Sequence, residues 1–490
     1  MPKSKEKLDT DKIKQRSVKG VLALVSRQYV LQGFSVVANI FFGVLLLPSE
    51  YGTYFLVLSI VSILNYFSDI GLAAALIQKK EDLTENDLKT TFTIQQILTL
   101  TLMLLAFLGT GFVSRYYDFS LAEVFLYYSL VFSFFLASLK TIPSVLLERE
   151  LSFEKVVIPQ ILEHFTFYGI AVLLASMGYG VASFTYAVIA RGIVGVISIY
   201  ILKPWVPKLG IQIDVAKRLV SFGAPFQLNS LLALIKDDLL IAVLGGHFSR
   251  TEMGYITWAQ KWTKMPLSAF LNSILSVTFP VFSRLQHDKE ELAKAINKAI
   301  FFVSLSVFPS VFGLIAISEP FFSNFPRFEK WLPATTAINY FGIVMIIAAV
   351  STVLTNTLNS IGKVKRTLGL MVMWIVLTWS LTLALIKPFG FNGVAIAAAI
   401  TSLSSFIVIP LVRHYLPVNV FRETLPPLIS AGLMFVVVKS LSGYLDQSLI
   451  QVGILIGIGG LTYAFMMLGV FRRKTFSELR SLHKFVKIGK

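Results

Sequence analysis

Long apolar stretches alternate with short polar loops along almost the whole chain. Fourteen of these stretches hold about twenty residues or more, enough at ~1.5 Å per residue to cross a ~30 Å hydrocarbon core as a helix. They predict an all-α polytopic membrane protein. The predicted spans are 21–47, 51–77, 90–113, 121–139, 156–176, 179–202, 219–244, 253–283, 299–317, 331–360, 367–386, 391–412, 425–441 and 449–470.

Lys and Arg are distributed unevenly between the two sides of these spans. With a cytoplasmic N-terminal tail, the tails and even-numbered loops carry 33 of the 44 Lys and Arg residues, and the remaining 11 are divided between the outer loops and the spans. Because cytoplasmic loops are enriched in Lys and Arg, this imbalance predicts that both termini are cytoplasmic.

Composition agrees with a chain whose solvent is lipid. Hydrophobic residues make up 55%, charged residues 14%, and the mean hydropathy is +0.73. The net charge of +17 lies mostly in tails and cytoplasmic loops, where anionic headgroups attract it, so a nucleic-acid partner is not expected. The absence of cysteine excludes disulfides and thiolate metal sites.

Signatures of catalysis are missing. There is no G-x-x-x-x-G-K-[ST] phosphate loop, and the one D-x-D pair, Asp9 and Asp11, lies in the basic tail. No loop is long enough to form a catalytic domain. The sequence therefore predicts a protein that is not an enzyme and has no cofactor beyond a possible coupling ion, H⁺ or Na⁺.

An internal repeat emerges at an offset of 202 residues, and it suggests that six spans recur as six. The matched pairs are Gly43 with Gly245, Glu50 with Glu252, and Gly52 with Gly254. An even number of spans keeps the orientation, so the halves would be related by an axis along the membrane normal. The predicted organisation is a basic tail at 1–20, a first lobe at 21–202, a linker at 203–218, a second lobe at 219–413, two added spans within 425–470, and a basic tail at 471–490.

Polar stripes follow the repeat. In the second span, residues spaced by three and four share one helical face, and in the eighth span the shifted positions include two lysines. The stripe residues are Ser59, Ser62, Tyr66 and Asp69 in the second span, Lys261, Lys264 and Ser268 in the eighth, and Gln28, Gln32, Ser35 and Asn39 in the first. Ser35 maps to Asp237 in the seventh span. Four helices are thus expected to line one water-filled cavity between two lobes.

Charged groups inside spans cost ~2.5 to 3.5 kcal/mol each on insertion scales, so they mark functional positions. The basic group is Arg27, Arg191, Lys236, Lys261 and Lys264, and the acidic or titratable group is Glu163, Asp237, Asp238 and His164. Basic side chains predominate, which favours an anionic substrate, and a phosphate suits Arg and Lys.

Several assignments keep a structural alternative. Lys236 either contacts substrate or neutralises an acidic neighbour, and Arg27 either contacts substrate or extends to headgroups. Arg191 either joins the site, donates to backbone carbonyls or pairs with Glu163. The tryptophans Trp258 and Trp262 either stack on sugars or anchor the interface. Proton coupling would use Glu163 and His164, whereas Na⁺ would bind Asp237 and Asp238. The sequence does not decide between these two ions, and transport without either ion is a third alternative.

The chain resembles polysaccharide exporters of the Wzx type, in the superfamily that includes multidrug and toxic compound extrusion (MATE) transporters and the lipid II flippase. The resemblance rests on LPSEYG at 47–52, DIGL at 69–72 with IQ at 77–78, LLERELSF at 146–153 and FPVFSRL at 279–285. Together, in this order and with this number of spans, these motifs are typical of the teichuronic acid and colanic acid exporter branch.

This resemblance implies a V-shaped pair of six-helix lobes with two extra helices, in a bacterial cytoplasmic membrane. It implies a flippase that moves an undecaprenyl-pyrophosphate-linked oligosaccharide to the outer leaflet by alternating access. Membrane lipids, the polysaccharide polymerase and glycosyltransferases would be partners. Two alternatives are a drug or metabolite antiporter on the same scaffold and a non-transporting scaffold protein.

Overall fold

A computed structural model describes residues 10–68, 71–443 and 449–478. All regular secondary structure in this described part is helical, which confirms the all-α prediction. The chain divides into two compact units, with the boundary between Met253 and Gly254. Because this boundary falls in the first turn of a helix, one continuous helix begins in the first unit and runs on into the second.

The first unit contains nine helices among the described residues. Their bounds are α1 Thr10–Leu45, α2 Pro48–Tyr66, α3 Leu72–Gln78, α4 Glu85–Tyr117, α5 Leu121–Arg149, α6 Phe153–Ser176, α7 Ala182–Leu202, α8 Ile213–Lys236 and α9 Asp238–Gly245. Helix α6 packs against α1, α5 and α7, while α2 packs against α5, α8 and α9.

The second unit has its apolar core between α10, α11, α12 and the α15–α16 region. Its helices are α10 Arg250–Leu285, α11 Lys289–Asn324, α12 Thr335–Ser360, α13 Val364–Phe389, α14 Asn392–Leu403, α15 Val408–Arg413, α16 Val420–Leu441 and α17 Leu449–Phe465. Short 3₁₀ segments precede α12 and α15. The added spans, α16 and α17, pack on α11 through Ala316, Met434 and Leu455.

Eleven helical stretches of the described residues are long and apolar enough to cross a membrane. The remaining three predicted spans are also helical, but two of them are interrupted. The second span consists of α2 and α3 on either side of Gly71, whose φ of 80° is left-handed and favours glycine. The seventh consists of α8 and α9, which are separated at Asp237.

The internal repeat has a structural counterpart at two helix starts. Helices α2 and α10 begin at Pro48 and Arg250, which are equivalent positions in the repeat. The carboxylate of Glu50 accepts the N–H of Leu47 at 2.7 Å, and that of Glu252 accepts the N–H of Ser249 at 2.9 Å. Both glutamates thus satisfy a backbone donor that a helix start leaves free.

The predicted repeat and the observed packing place the boundary between the two halves of the chain at different residues. The repeat assigns the seventh predicted span to the second half, yet α8 and α9 pack on α2, α3 and α4 of the first unit. Val215 and Leu219 of α8 are buried in one cluster with Leu72 and Leu76 of α3. Apolar burial therefore joins α8 to the first unit.

Candidate functional site

One face of α6 organises the polar interior of the first unit. Its side chains recur every three or four residues and so point the same way. They are Gln160, Glu163, His164, Phe167 and Tyr168. Each of the neighbouring helices α1, α5 and α7 contributes a partner to this face, which we call the α6 polar face.

Arg27 of α1 reaches this face near its N-terminal end. Its guanidinium donates a hydrogen bond to the side-chain oxygen of Gln160, and its Nε is buried with no acceptor among the described residues. A buried guanidinium N–H without an acceptor is costly. Arg27 therefore retains hydrogen-bonding capacity toward an anion.

Glu163 forms an ion pair with Lys140 of α5. The ammonium nitrogen lies 2.5 Å from Oε1, and both side chains are 20% exposed. The carboxylate also lies against Gly195 of α7, where any Cβ would collide with it. Three helices therefore meet at this carboxylate.

The alternative pairing of Arg191 with Glu163 is wrong. The Arg191 guanidinium lies over the ring of Phe167, 5.3 Å from its centroid, because Lys140 occupies the place beside the carboxylate. Lys140 is absent from the sequence-based site because the predicted span ends at residue 139, whereas α5 continues to Arg149. The apolar residues Ile142, Val145 and Leu146 continue the helical spacing beyond position 139 despite Pro143, and this spacing is the signal that could have found it.

Farther along the face, α1 and α6 share a buried hydrogen-bond network. The hydroxyls of Ser35 and Tyr168 are 2.9 Å apart, and Tyr51 donates to the side-chain oxygen of Asn39 at 3.1 Å. The predicted face of α1 therefore divides into two parts. Ser35 and Asn39 are buried in the network, while Gln28 and Gln32 are half-buried.

His164 lies beside this network. Its ring centroid is 4.9 Å from that of Tyr168, one residue after the ion-paired Glu163. The two residues predicted for proton coupling are thus both on the α6 polar face.

The predicted stripe on α2 has a different character. Ser59 is buried, and its hydroxyl donates to the carbonyl of Phe55 at 2.9 Å, which satisfies it within its own helix. Ser62 and Tyr66 are half-buried, and Asp69 lies outside the described residues. This stripe therefore offers hydroxyl groups but no charge in the described part.

Lys236, Asp237 and Asp238 lie at the junction of α8 and α9. Asp237 is exposed, and its two neighbours are half-buried. Throughout the described ranges there is no group of three His, Asp or Glu side chains arranged to hold a metal ion. The notable property of this triplet is its backbone position between two helices.

In the second unit, α10 carries the remaining predicted residues. Trp258 is fully buried and stacks on Trp331, with ring centroids 3.9 Å apart and planes 15° apart. Both interpretations of Trp258, as a sugar-stacking surface and as an interface anchor, are therefore wrong, because its ring is enclosed in the core. Trp262 is half-buried and lies 5.6 Å from Trp258.

The two lysines of α10 remain accessible. Lys261 is half-buried and Lys264 is exposed, and neither forms an ion pair with a carboxylate of the described residues. Lys264 is one turn from Ser268, whose hydroxyl donates to its carbonyl at 2.9 Å. Their spacing of three residues places both ammonium groups on one side of the helix.

Residues 44–335 match a protein family described as polysaccharide biosynthesis protein. A probable low-salt glycan biosynthesis flippase, Agl15 of Haloferax volcanii, is 23% identical over 454 residues, covering 89% of this chain and 92% of the relative. The succinoglycan biosynthesis transport protein ExoT of Rhizobium meliloti is 23% identical over 175 residues. That match spans 36% of this chain and only 35% of the relative.

Two solved structures share the fold. The lipid II flippase MurJ in an inward closed conformation superposes with a TM-score of 0.76 at 17% identity, covering 92% of this chain and 99% of the other. An inward-facing multidrug resistance MATE family transporter of the MOP superfamily gives a TM-score of 0.60 at 14% identity, covering 80% and 97%. These similarities show that the chain shares the helical fold of both proteins.

Proposed function

The chain belongs to the polysaccharide biosynthesis protein family, and from this membership we propose that it is a flippase for a lipid-linked oligosaccharide. The substrate would be an oligosaccharide on undecaprenyl pyrophosphate, moved from the cytoplasmic to the outer leaflet for surface polysaccharide synthesis. The protein would work by alternating access and would transport its substrate without chemical change.

The observation that carries this proposal is the match to the Haloferax volcanii relative named as a probable flippase. It covers 89% of this chain and 92% of the relative, so it includes both units. The fold shared with MurJ over 92% of the chain agrees with a transporter architecture.

The charges of the described site residues suit an anionic headgroup. The α6 polar face and its partners include three cations, Arg27, Lys140 and Arg191, but one carboxylate, Glu163. In the second unit, Lys261 and Lys264 add two ammonium groups. Ammonium and guanidinium groups bind phosphate oxygens through charge-assisted hydrogen bonds. We assign Lys261, Lys264 and Arg27 to the pyrophosphate, and Trp262 to the sugars.

The energy source and surroundings form part of the same proposal. Proton coupling would use Glu163 and His164, with Lys140 taking part through its ion pair, whereas Na⁺ coupling would use Asp237 and Asp238. The protein would lie in the bacterial cytoplasmic membrane with both termini inside. It would supply a polymerase and receive substrate from glycosyltransferases.

The test is translocation in liposomes that contain the purified protein and a fluorescent undecaprenyl-pyrophosphate oligosaccharide. An impermeant quencher reports when the headgroup reaches the opposite leaflet. We expect the protein to accelerate this step and the Lys261→Gln/Lys264→Gln double variant to abolish the acceleration. The repeat-related Ser59→Ala/Ser62→Ala variant is the matched control and should retain most of the rate.

Each arm has a distinct consequence. Acceleration that persists in the lysine variant would refute the site while supporting the flippase. No acceleration by the protein, with or without a proton or Na⁺ gradient, would refute the function, provided that an established flippase is active in the same vesicles. Export of a cationic drug by the same liposomes would instead support the antiporter.

A further inference from the structure

Helix α9 is fixed to the first unit. Gly245 packs so tightly against Leu56 of α2 that a Cβ at this position would force the Leu56 side chain to shift, and the hydroxyl of Tyr117 donates to the carbonyl of Ala242 at 3.0 Å. Leu240, Ile241 and Leu244 are buried. This end of the α8–α9 pair is therefore packed like a core.

At the opposite end, the start of α8 is buried against α3, but its ion pair is partly exposed. Arg218 donates to the carboxylate of Asp87 at 3.0 Å, but its side chain is 58% exposed, whereas that of Asp87 is fully buried. Lys79 binds the same carboxylate at 2.6 Å. If the start of α8 moves away, Arg218 becomes solvated by water and Asp87 keeps its ion pair with Lys79. Breaking the Arg218–Asp87 pair therefore leaves no buried charge without a partner.

The surface against which α8 packs is fixed by another residue. Arg149 of α5 donates to the carbonyls of Leu76 at 2.8 Å, Lys79 at 2.6 Å and Glu81 at 2.8 Å. This guanidinium supplies hydrogen-bond donors to the carbonyls at and after the C-terminal end of α3. Its positive charge also interacts favourably with the negative end of the helix dipole. Helix α3 is thus held to α5 independently of α8.

Between the start of α8 and the anchored α9, the helix is interrupted at Asp237. Its φ of −102° and ψ of −68° are both more negative than those of a regular α-helix. The bonds from Asp237 N–H to Ala233 and from Ile241 N–H to Asp237 persist at 2.9 and 3.2 Å. A bend at this point therefore requires no loss of these bonds.

We propose that α8 is a gate helix, hinged at Asp237, whose start swings away from α3 and α4 to admit the substrate headgroup. This inference rests on the proposed function. At ~1.5 Å per residue, the 24 residues of α8 form a lever of roughly 36 Å, so a rotation of about 10° moves its start by about 6 Å. The closed position is held by Arg218–Asp87, by Val215 and Leu219 in the apolar cluster with α3, and by the Gly71–Gly223 backbone contact.

The first test measures opening directly. Because the chain contains no cysteine, Leu219→Cys introduces the sole thiol at a site that is 3% exposed when closed. A charged, membrane-impermeant maleimide should label it slowly in proteoliposomes. Adding Arg218→Ala should increase the rate roughly fivefold, as expected for loss of one partly buried ion pair.

Two controls make this result specific. Lys208→Ala removes the neighbouring Lys208–Glu85 pair, in which both side chains are mostly exposed, and should leave the labelling rate of Leu219→Cys unchanged. A thiol at the buried Leu126 of α5 reports general unfolding and should not respond to Arg218→Ala. The gate is refuted if Arg218→Ala leaves labelling unchanged or if the Leu126 thiol accelerates equally.

The second test restrains the helix. Thr90 Oγ accepts the N–H of Gln212, immediately before α8, at 3.1 Å. A cleavable thiol cross-link across Thr90→Cys/Gln212→Cys should stop translocation, and reduction should restore it. The same cross-link across Tyr117→Cys/Ala242→Cys, at the anchored end, should retain most of the rate.

Continued translocation with the Thr90/Gln212 link in place would overturn the gate. The labelling assay needs no transport. If labelling behaves as expected but the parent protein does not translocate the lipid substrate, then the proposed function fails and the hinged helix stands.

Discussion

The starts of α2 and α10 occupy equivalent positions in the repeat but are stabilised differently. Each has a capping glutamate, Glu50 or Glu252. At the first helical position, however, α2 has Pro48 and α10 has Arg250. Proline favours that position through its fixed φ, whereas Arg250 reaches out to Glu123 at 2.6 Å. The repeat therefore preserves the backbone of the helix start and varies the side-chain interaction.

Glu123 connects these two starts. Its Oε1 accepts from Thr53 of α2 at 3.2 Å and from Arg250 of α10 at 2.6 Å, while its Oε2 accepts the N–H of Ser120 at 2.7 Å. Glu123 is only 6% exposed. A buried carboxylate with this many donors is well satisfied, and it depends on its cation.

The largest expected difference between the two starts comes from Arg250→Ala. It leaves Glu123 buried without its cation, and we expect a loss of about 3 kcal/mol in the free energy of unfolding. Pro48→Ala, at the equivalent position of α2, should cost about 0.5 to 1 kcal/mol. Unfolding in mixed micelles of rising SDS content, followed by tryptophan fluorescence, measures both. Equal losses would show that the two starts are energetically alike.

A smaller effect is expected where the segment before α10 meets α2. Gly245→Ala places a methyl group against Leu56, and overpacking of this kind costs about 1 to 3 kcal/mol. Gly33→Ala in α1 is the matched control, because nothing lies within 4 Å of its Cβ position. It should stabilise the helix by roughly 0.5 to 1 kcal/mol. A neutral Gly245→Ala in the same unfolding assay would contradict the tight packing of α9.

The smallest effect tests what the two starts share. Glu50→Ala and Glu252→Ala each remove one capping carboxylate and should each cost about 1 kcal/mol. Agreement within a factor of two would support equivalent caps. A loss of stability in only one variant would show that the two helices start at equivalent positions but that their capping glutamates contribute unequally to the free energy of unfolding.

Most of the helices can be predicted from hydropathy, and the places where the structure differs from that prediction have local causes. The sequence predicts helices and their approximate bounds because lipid demands that each backbone group be satisfied within its own helix. It does not predict the interruption at Gly71. The backbone of Gly71 lies against that of Gly223, and a contact between residues so far apart in the chain cannot be read from a single glycine. The break at Asp237 likewise falls inside a span that hydropathy predicts as continuous.

The site is less predictable because its partners are distant in sequence. Periodicity places Ser35 and Asn39 on one face, but their partners Tyr168 and Tyr51 lie on other helices. A stacking partner such as Trp331, which encloses Trp258, lies too far along the chain for local spacing to reveal it. Local spacing identifies a shared face, while tertiary packing decides what that face meets.

The position of Glu123 also has an evolutionary consequence. One carboxylate oxygen accepts hydrogen bonds from both Thr53 and Arg250, which lie in the two halves that the predicted repeat relates. A replacement at residue 123 removes the acceptor of both Thr53 and Arg250, so the sequences of the two halves cannot change independently at this point. Among homologues, positions 53, 123 and 250 should therefore change together, as a coupled set that links the histories of the two halves.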